Sequence, residues 1–154
     1  MSLERVREYL KKFKLEDRIM IFKESTATSE EAAKTLGCSS KEIVKTISLK
    51  DKNGQPILIV LPADRMIDKK KYKAQFGFPM KMLKHEEVEE LVGFRIGGVC
   101  PYAYKEPCKV YLDESLKGID PIYTACGSSN SLGKFHLDEL EKISAYQAYV
   151  NVAG

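Results

Sequence analysis

Residues 56–62, PILIVLP, are apolar at every position and carry a proline at each end. A strand with one wet face alternates apolar and polar residues, whereas Ile57 to Leu61 do not, so this arm is expected to be a central strand covered on both faces. The preceding KTISLK-DKNGQ completes a hairpin, with Asn53-Gly54 expected to supply the positive φ values of a tight turn.

The rest of the chain intersperses helices and strands. Residues 2–13 read as an amphipathic helix with Ser2 as N-cap and Val6, Leu10 and Phe13 on one face. RIMIF (18–22) reads as a short strand, and TSEEAAKTLG (28–37) as a capped helix stopped by Gly37. A second short helix is expected to start at SSKE (39–42), where Ser39 and Glu42 have capping-box spacing. DKKKYKAQF (68–76) and KHEEVEELVG (84–93) read as helices, KVYLD (109–113) and PIYTAC (121–126) as strands. GSSNSLG (127–133) reads as a loop leading to KFHL and a capped helix, DELEKIS (138–144), and AYQAYV as a closing strand. With no repeat and no linker between two cores, residues 1–154 are expected to form a single α/β domain with a mixed sheet.

Composition narrows the function classes. Hydrophobic residues make up 44% and charged residues 31%, an ordinary globular balance. No apolar run approaches the roughly 18–20 residues of a membrane span, and MSLERVREYLKKF has no signal-peptide h-region. A cytoplasmic protein with no membrane partner is expected. Cys38, Cys100, Cys108 and Cys126 are widely spaced, with no CxxC, and only His85 and His136 could join them. Neither a metal site nor another cofactor is expected. The net charge is only +3, but DKKKYK (68–73) and KMLK (81–84), with Arg65 close by, form local basic surfaces. Such surfaces serve either solubility or phosphate contact.

Two features point to a ligand. Along the first hairpin arm Ile43, Lys45, Ile47 and Leu49 fall on one side, and Val44, Thr46, Ser48 and Lys50 on the other. Lys45 is therefore in register with the apolar set, where an ammonium is costly without a partner. Either it snorkels from a strand that starts later, or it stands at the mouth of a pocket to hold a phosphate or polarise a carbonyl. The second feature is GFRIGGVCPY (93–102), three glycines and a proline in ten positions. It is neither a Walker loop nor GxGxxG. Glycines 97 and 98 either turn a sharp corner or let a ligand reach main-chain amides, with Pro101 stiffening the far end. Cys100 lies inside this loop without an obvious base, and His136 is expected beside a helix start rather than next to a nucleophile.

EIVKTISL (42–49), GFRIGGVCP (93–101) and IYTACGSSNSLGKFHLDEL (122–140) together resemble the YbaK / prolyl-tRNA-editing family of free-standing aminoacyl-tRNA deacylases. The family pattern is a Val-Lys-Thr strand, a Gly-Tyr-x-x-Gly-Gly-x-x-Pro loop, and a strand ending in Ser-x-Gly or Gly-x-Gly. The resemblance runs from about residue 16 to the C-terminus. It implies a compact α/β domain with a mixed, barrel-like sheet flanked by helices, hydrolysing the ester of a small amino acid wrongly attached to the 3′ end of a tRNA.

By the same resemblance Lys45 is the functional lysine, with Thr46 beside it. Gly97, Gly98 and Pro101 match the glycine loop, with Val99 between them. Phe22 would wall the pocket, and Gly127 matches the glycine after the second site strand. Phe94 stands where tyrosine is usual. Ala125 stands where cysteine-selective members carry serine, so alanine or serine is the expected cargo, with tRNA-Pro as a carrier. The expected mechanism places the aminoacyl carbonyl against the amides of Gly98 and Val99, fixes the terminal phosphate or the carbonyl with Lys45, and orients water through a hydroxyl of the terminal adenosine. Arg65, Lys69, Lys70 and Lys71 are the expected tRNA contacts, and an aminoacyl-tRNA synthetase is a candidate partner. The rival readings are a non-catalytic aminoacyl-adenosine or RNA-binding module and a synthetase-associated protein.

Overall fold

The computed structural model describes residues 2–154, for Ser40 the backbone alone. Among them the strands are β1 (Ile19–Ile21), β2 (Val44–Lys50), β3 (Pro56–Pro62), β4 (Lys109–Asp113), β5 (Ile122–Ala125), β6 (Ser131–Phe135) and β7 (Ala148–Val150). The helices are α1 (Ser2–Lys11), α2 (Ser29–Leu36), α3 (Lys69–Phe76), α4 (His85–Val92) and α5 (Leu137–Ser144). One sheet has the order β2-β3-β4-β7, antiparallel between β2 and β3 and parallel thereafter. The other is antiparallel, in the order β1-β6-β5. The α/β class and mixed sheet expected from the sequence are present, but the strands form two sheets that touch at a parallel bridge between Ile43 and Tyr123 and are not closed into a barrel.

β3 lies between β2 and β4, and all seven of its residues are buried. Leu58 and Val60 enter a core with Val6 and Leu10 of α1, Val88 of α4 and Leu140 of α5. Ile57, Ile59 and Leu61 enter a second core, under Tyr72 of α3. That double covering is why the run never alternates, and each such side chain contributes about 1.5–3 kcal/mol on burial. Both termini are anchored. Buried Asp113 accepts the amides of Val152 and Ala153, and the Arg5 guanidinium of α1 donates to the carbonyls of Gly93 and Ala103.

Several local expectations shift. α1 begins at Ser2 itself, so the cap position falls on Met1, outside the described residues. α2 has Thr28 as cap in a capping box with Glu31, and Gly37 closes it in the left-handed region. SSKE gives a single 3-10 turn rather than a capped helix. In the hairpin only Gly54 takes a positive φ, because the connection spans residues 51–55 and is organised by the Asp51 carboxylate accepting the amides of Asn53 and Gln55. The supposed loop 127–133 contains the start of β6, the central strand of the smaller sheet. His136 caps α5, with Nδ1 2.7 Å from Asp120 Oδ1.

Candidate active site

A cavity of about 300 Å³ opens beside β2, the edge strand of the larger sheet. Its walls come from β2, from Thr26–Ser29 before and at the start of α2, from Met82, Leu83 and His85, from Ile96, Gly97 and Val99, and from Ala125 and Leu132 of the smaller sheet. The edge of one sheet and the end of the other thus form a cleft at the small end of the usual range for ligand sites, roughly 300–1,000 Å³.

Lys45 lines this cavity. Ile47 and Leu49, in register with it, pack into the core under α3, so the lysine occupies an apolar row, as the alternation predicts. The strand ladder begins at Val44, ahead of the lysine, rather than after it. Partial burial pulls the ammonium below its ordinary pKa, and the carboxylate of Asp64 opposes that pull. The amine therefore gains from an anionic or carbonyl partner that replaces its lost water.

The glycine run divides into distinct tasks. Gly93 closes α4 at φ +91°. Residues 95–98 form a turn in which the Gly98 amide donates to the Arg95 carbonyl at 3.0 Å and Gly97 takes φ +96°. A Cβ at Gly97 would lie 3.1 Å from Ala27 Cβ, across the cavity mouth. Gly98 instead lies against residues 127 and 128, and its carbonyl accepts the Gly127 amide at 3.0 Å. The amide of Gly98 is thus already engaged within the turn. Those of Gly97 and Val99 have no acceptor among the described residues.

Lys45, Thr46, Gly97, Val99 and Ala125 line one cavity, while Gly98, Pro101 and Gly127 do not reach its lining. Phe22 also stands one layer back, against a cluster containing Ala32, Ile43 and Leu132. Arg65, Lys69, Lys70 and Lys71 contribute nothing to the lining. Arg65 Nε and Lys71 Nζ donate to the carbonyls of Gly154 and Ala153, while Lys69 and Lys70 are exposed at the start of α3. The sequence reading missed Thr26, Ala27, Met82, His85 and Ile96. The bridge from Leu49 to Met82 brings the 81–85 segment to the cavity, and no local pattern announces such a pairing.

Cys100 is fully buried and outside the lining, and burial pushes its thiol well above the ordinary value, the environment of an inert structural thiol. All four cysteines are free. His136 belongs to the α5 cap. Among the described residues no group of three or more His, Cys, Asp or Glu could hold a metal ion, and no helix is long and apolar enough to cross a membrane. The cavity combines a partly desolvated cation, small apolar walls and two residues whose amides have no acceptor among the described residues, a set suited to binding a carbonyl oxygen and stabilising it as an oxyanion.

Residues 23–143 match the aminoacyl-tRNA editing domain. Bacillus subtilis (strain 168) YwhH, an uncharacterized protein, is 40% identical over 152 residues, 99% of this chain and 97% of its own. The proline–tRNA ligase of Aquifex aeolicus (strain VF5) is 30% identical over 99 residues, which make up 64% of this chain and 17% of the ligase. The crystal structure of a "putative trans-editing enzyme for prolyl tRNA synthetase" matches with a TM-score of 0.88 at 29% identity, covering 99% of this chain and 97% of that one.

Proposed function

The chain belongs to the aminoacyl-tRNA editing domain family and is an aminoacyl-tRNA deacylase; we propose that it removes alanine or serine, ahead of cysteine, from a mischarged tRNA. The observation that carries this reading is the sharing of one small cavity by Lys45, by Ala125, and by Gly97 and Val99, whose amides have no acceptor among the described residues.

Water adds to the aminoacyl carbonyl carbon, the bond from that carbon to the terminal ribose oxygen breaks, and a proton returns to the ribose oxygen. The products are uncharged tRNA and a free amino acid. The amides of Gly97 and Val99 stabilise the developing oxyanion. Gly97 replaces Gly98 in this role because the Gly98 amide is closed onto Arg95. One such donor is typically worth 10²–10³ in rate, so hydrolysis proceeds without a nucleophilic triad. Lys45 fixes the terminal phosphate or the carbonyl, and a hydroxyl of the terminal adenosine orients the water. Gly98, Pro101, Gly127 and Phe22 hold these groups from behind, and Thr46 completes the strand side of the cavity.

Size exclusion sets the cargo: Ala125 leaves room for a small side chain and provides no hydroxyl for a cysteine thiol. Similarity to the ligase and to the trans-editing structure favours tRNA-Pro as carrier and a synthetase as partner. Lys69 and Lys70, with Arg65 and Lys71 at the same end of α3, guide the acceptor stem as a salt-sensitive surface. The whole chain, residues 1–154, acts as one editing domain in the cytoplasm, where translation supplies its substrate.

The test is deacylation of tRNA-Pro carrying Ala, Ser, Cys, Thr or Pro. Alanyl and seryl esters should be consumed well above the enzyme-free rate and the prolyl ester spared. Protection of the esters would instead identify a binding module, and fastest loss of the cysteinyl ester would overturn the cargo assignment.

A further inference from the structure

β2 is an edge strand, and the pairing of its main-chain groups can be counted residue by residue. Pro56 and Pro62, which lack an amide hydrogen, stand opposite Lys50 and Val44. Next to these pairs, Asp51 donates to Gln55 and Ala63 donates to Ile43. The odd residues 45, 47 and 49 therefore exchange their hydrogen bonds with β3, and the even residues turn their amides and carbonyls to the outer edge.

That outer edge is covered at both ends. Lys50 donates to the Lys81 carbonyl at 2.9 Å, and Ser48 accepts the Leu83 amide at 3.1 Å. At the other end Ile43 bridges Tyr123 of β5. Thr46 sits between the two covers: the register turns its carbonyl and amide away from β3, and among the described residues no outer-edge bridge or loop hydrogen bond reaches it. The cavity runs along this gap. Its lining includes all of residues 43–48 and both covering elements but none of β3.

Among the described residues no aspartate or glutamate lines the cavity. An ammonium group entering it must therefore be met by neutral oxygen, and the unpaired Thr46 carbonyl is a strong main-chain acceptor at its strand wall. We propose that this carbonyl anchors the free α-ammonium group of the aminoacyl ester, so that the enzyme reads the amine as well as the side chain. The inference rests on the ester-hydrolysis reading above and adds a substrate requirement to it: esters of α-amino acids are processed, and esters without the charged amine are not.

The protein need not be altered to test this. Deamination of alanyl-tRNA gives the lactyl ester, which keeps the size of the acyl group and replaces the ammonium with a hydroxyl. Because the ammonium also activates the ester chemically, each enzymatic kcat/KM is divided by that ester's own uncatalysed hydrolysis rate. Loss of a charge-assisted hydrogen bond should lower this ratio about tenfold to a hundredfold for the lactyl ester. Equal ratios for the two esters would overturn the proposal while leaving the deacylase reading intact. Failure to accelerate either ester would overturn both.

Discussion

The carbonyl of Gly98 accepts the amide of Gly127 at 3.0 Å, joining the glycine turn to the end of β5. The backbones come so close that a Cβ on Gly98 would lie 2.8 Å from the Gly127 carbonyl carbon and the Ser128 nitrogen. Gly98→Ala should therefore force the main chain apart, costing about 1–3 kcal/mol and displacing Val99 from the cavity. Urea unfolding should show a lower midpoint at an unchanged slope, together with loss of deacylation. A variant as stable and active as the parent would show that the junction tolerates a methyl group. Gly37 has only open space around its Cβ position, so Gly37→Ala reports left-handed backbone strain alone.

Ala125 is half-buried at the end of β5, opposite Leu132, and both line the cavity. Ala125→Leu should fill the acyl site and abolish turnover of alanyl and seryl esters without loss of cooperative unfolding. Unchanged turnover would remove Ala125 from the specificity wall.

The state of Lys45 gives activity a pH signature. Burial lowers the pKa of its ammonium from 10.5, and Asp64 raises it in opposition. The charged form is lost as pH rises through a value below that of an ordinary lysine. kcat/KM, corrected for alkaline hydrolysis of the ester itself, should thus decline on the basic side earlier than a free lysine would dictate. Asp64→Asn removes the opposing charge and should move that decline to still lower pH. A shift toward higher pH would contradict the assignment of Lys45 as the titrating cation.

How much of this was legible in the sequence depends on where the determining contact lies. β3 could be read directly, since covering on both faces leaves its mark on every one of its own residues. Lys45 could be read too, because strand alternation places it among Ile47 and Leu49 without knowledge of their partners. β6 could not: Ser131 and Gly133 weaken its strand signal, and its burial comes from β1 and β5, far apart in the chain. The glycine pair stands out in the sequence, yet only its meeting with Gly127 reveals that Gly98 packs against the end of β5 while Gly97 and Val99 line the cavity. The unpaired edge at Thr46 depends on segments 81–83 and 123 covering the strand on either side, a relation that no local spacing encodes.

In the proposed mechanism Lys45 acts on the ester from the wall it shares with Gly97 and Val99. Single-turnover hydrolysis of alanyl-tRNA-Pro by the parent protein and by Lys45→Ala tests it most directly, with the fold of each checked by its unfolding transition. A fall of about 10²–10³ in the rate constant, with folding retained, is the predicted result. Near-parental hydrolysis by a folded Lys45→Ala protein would contradict the account.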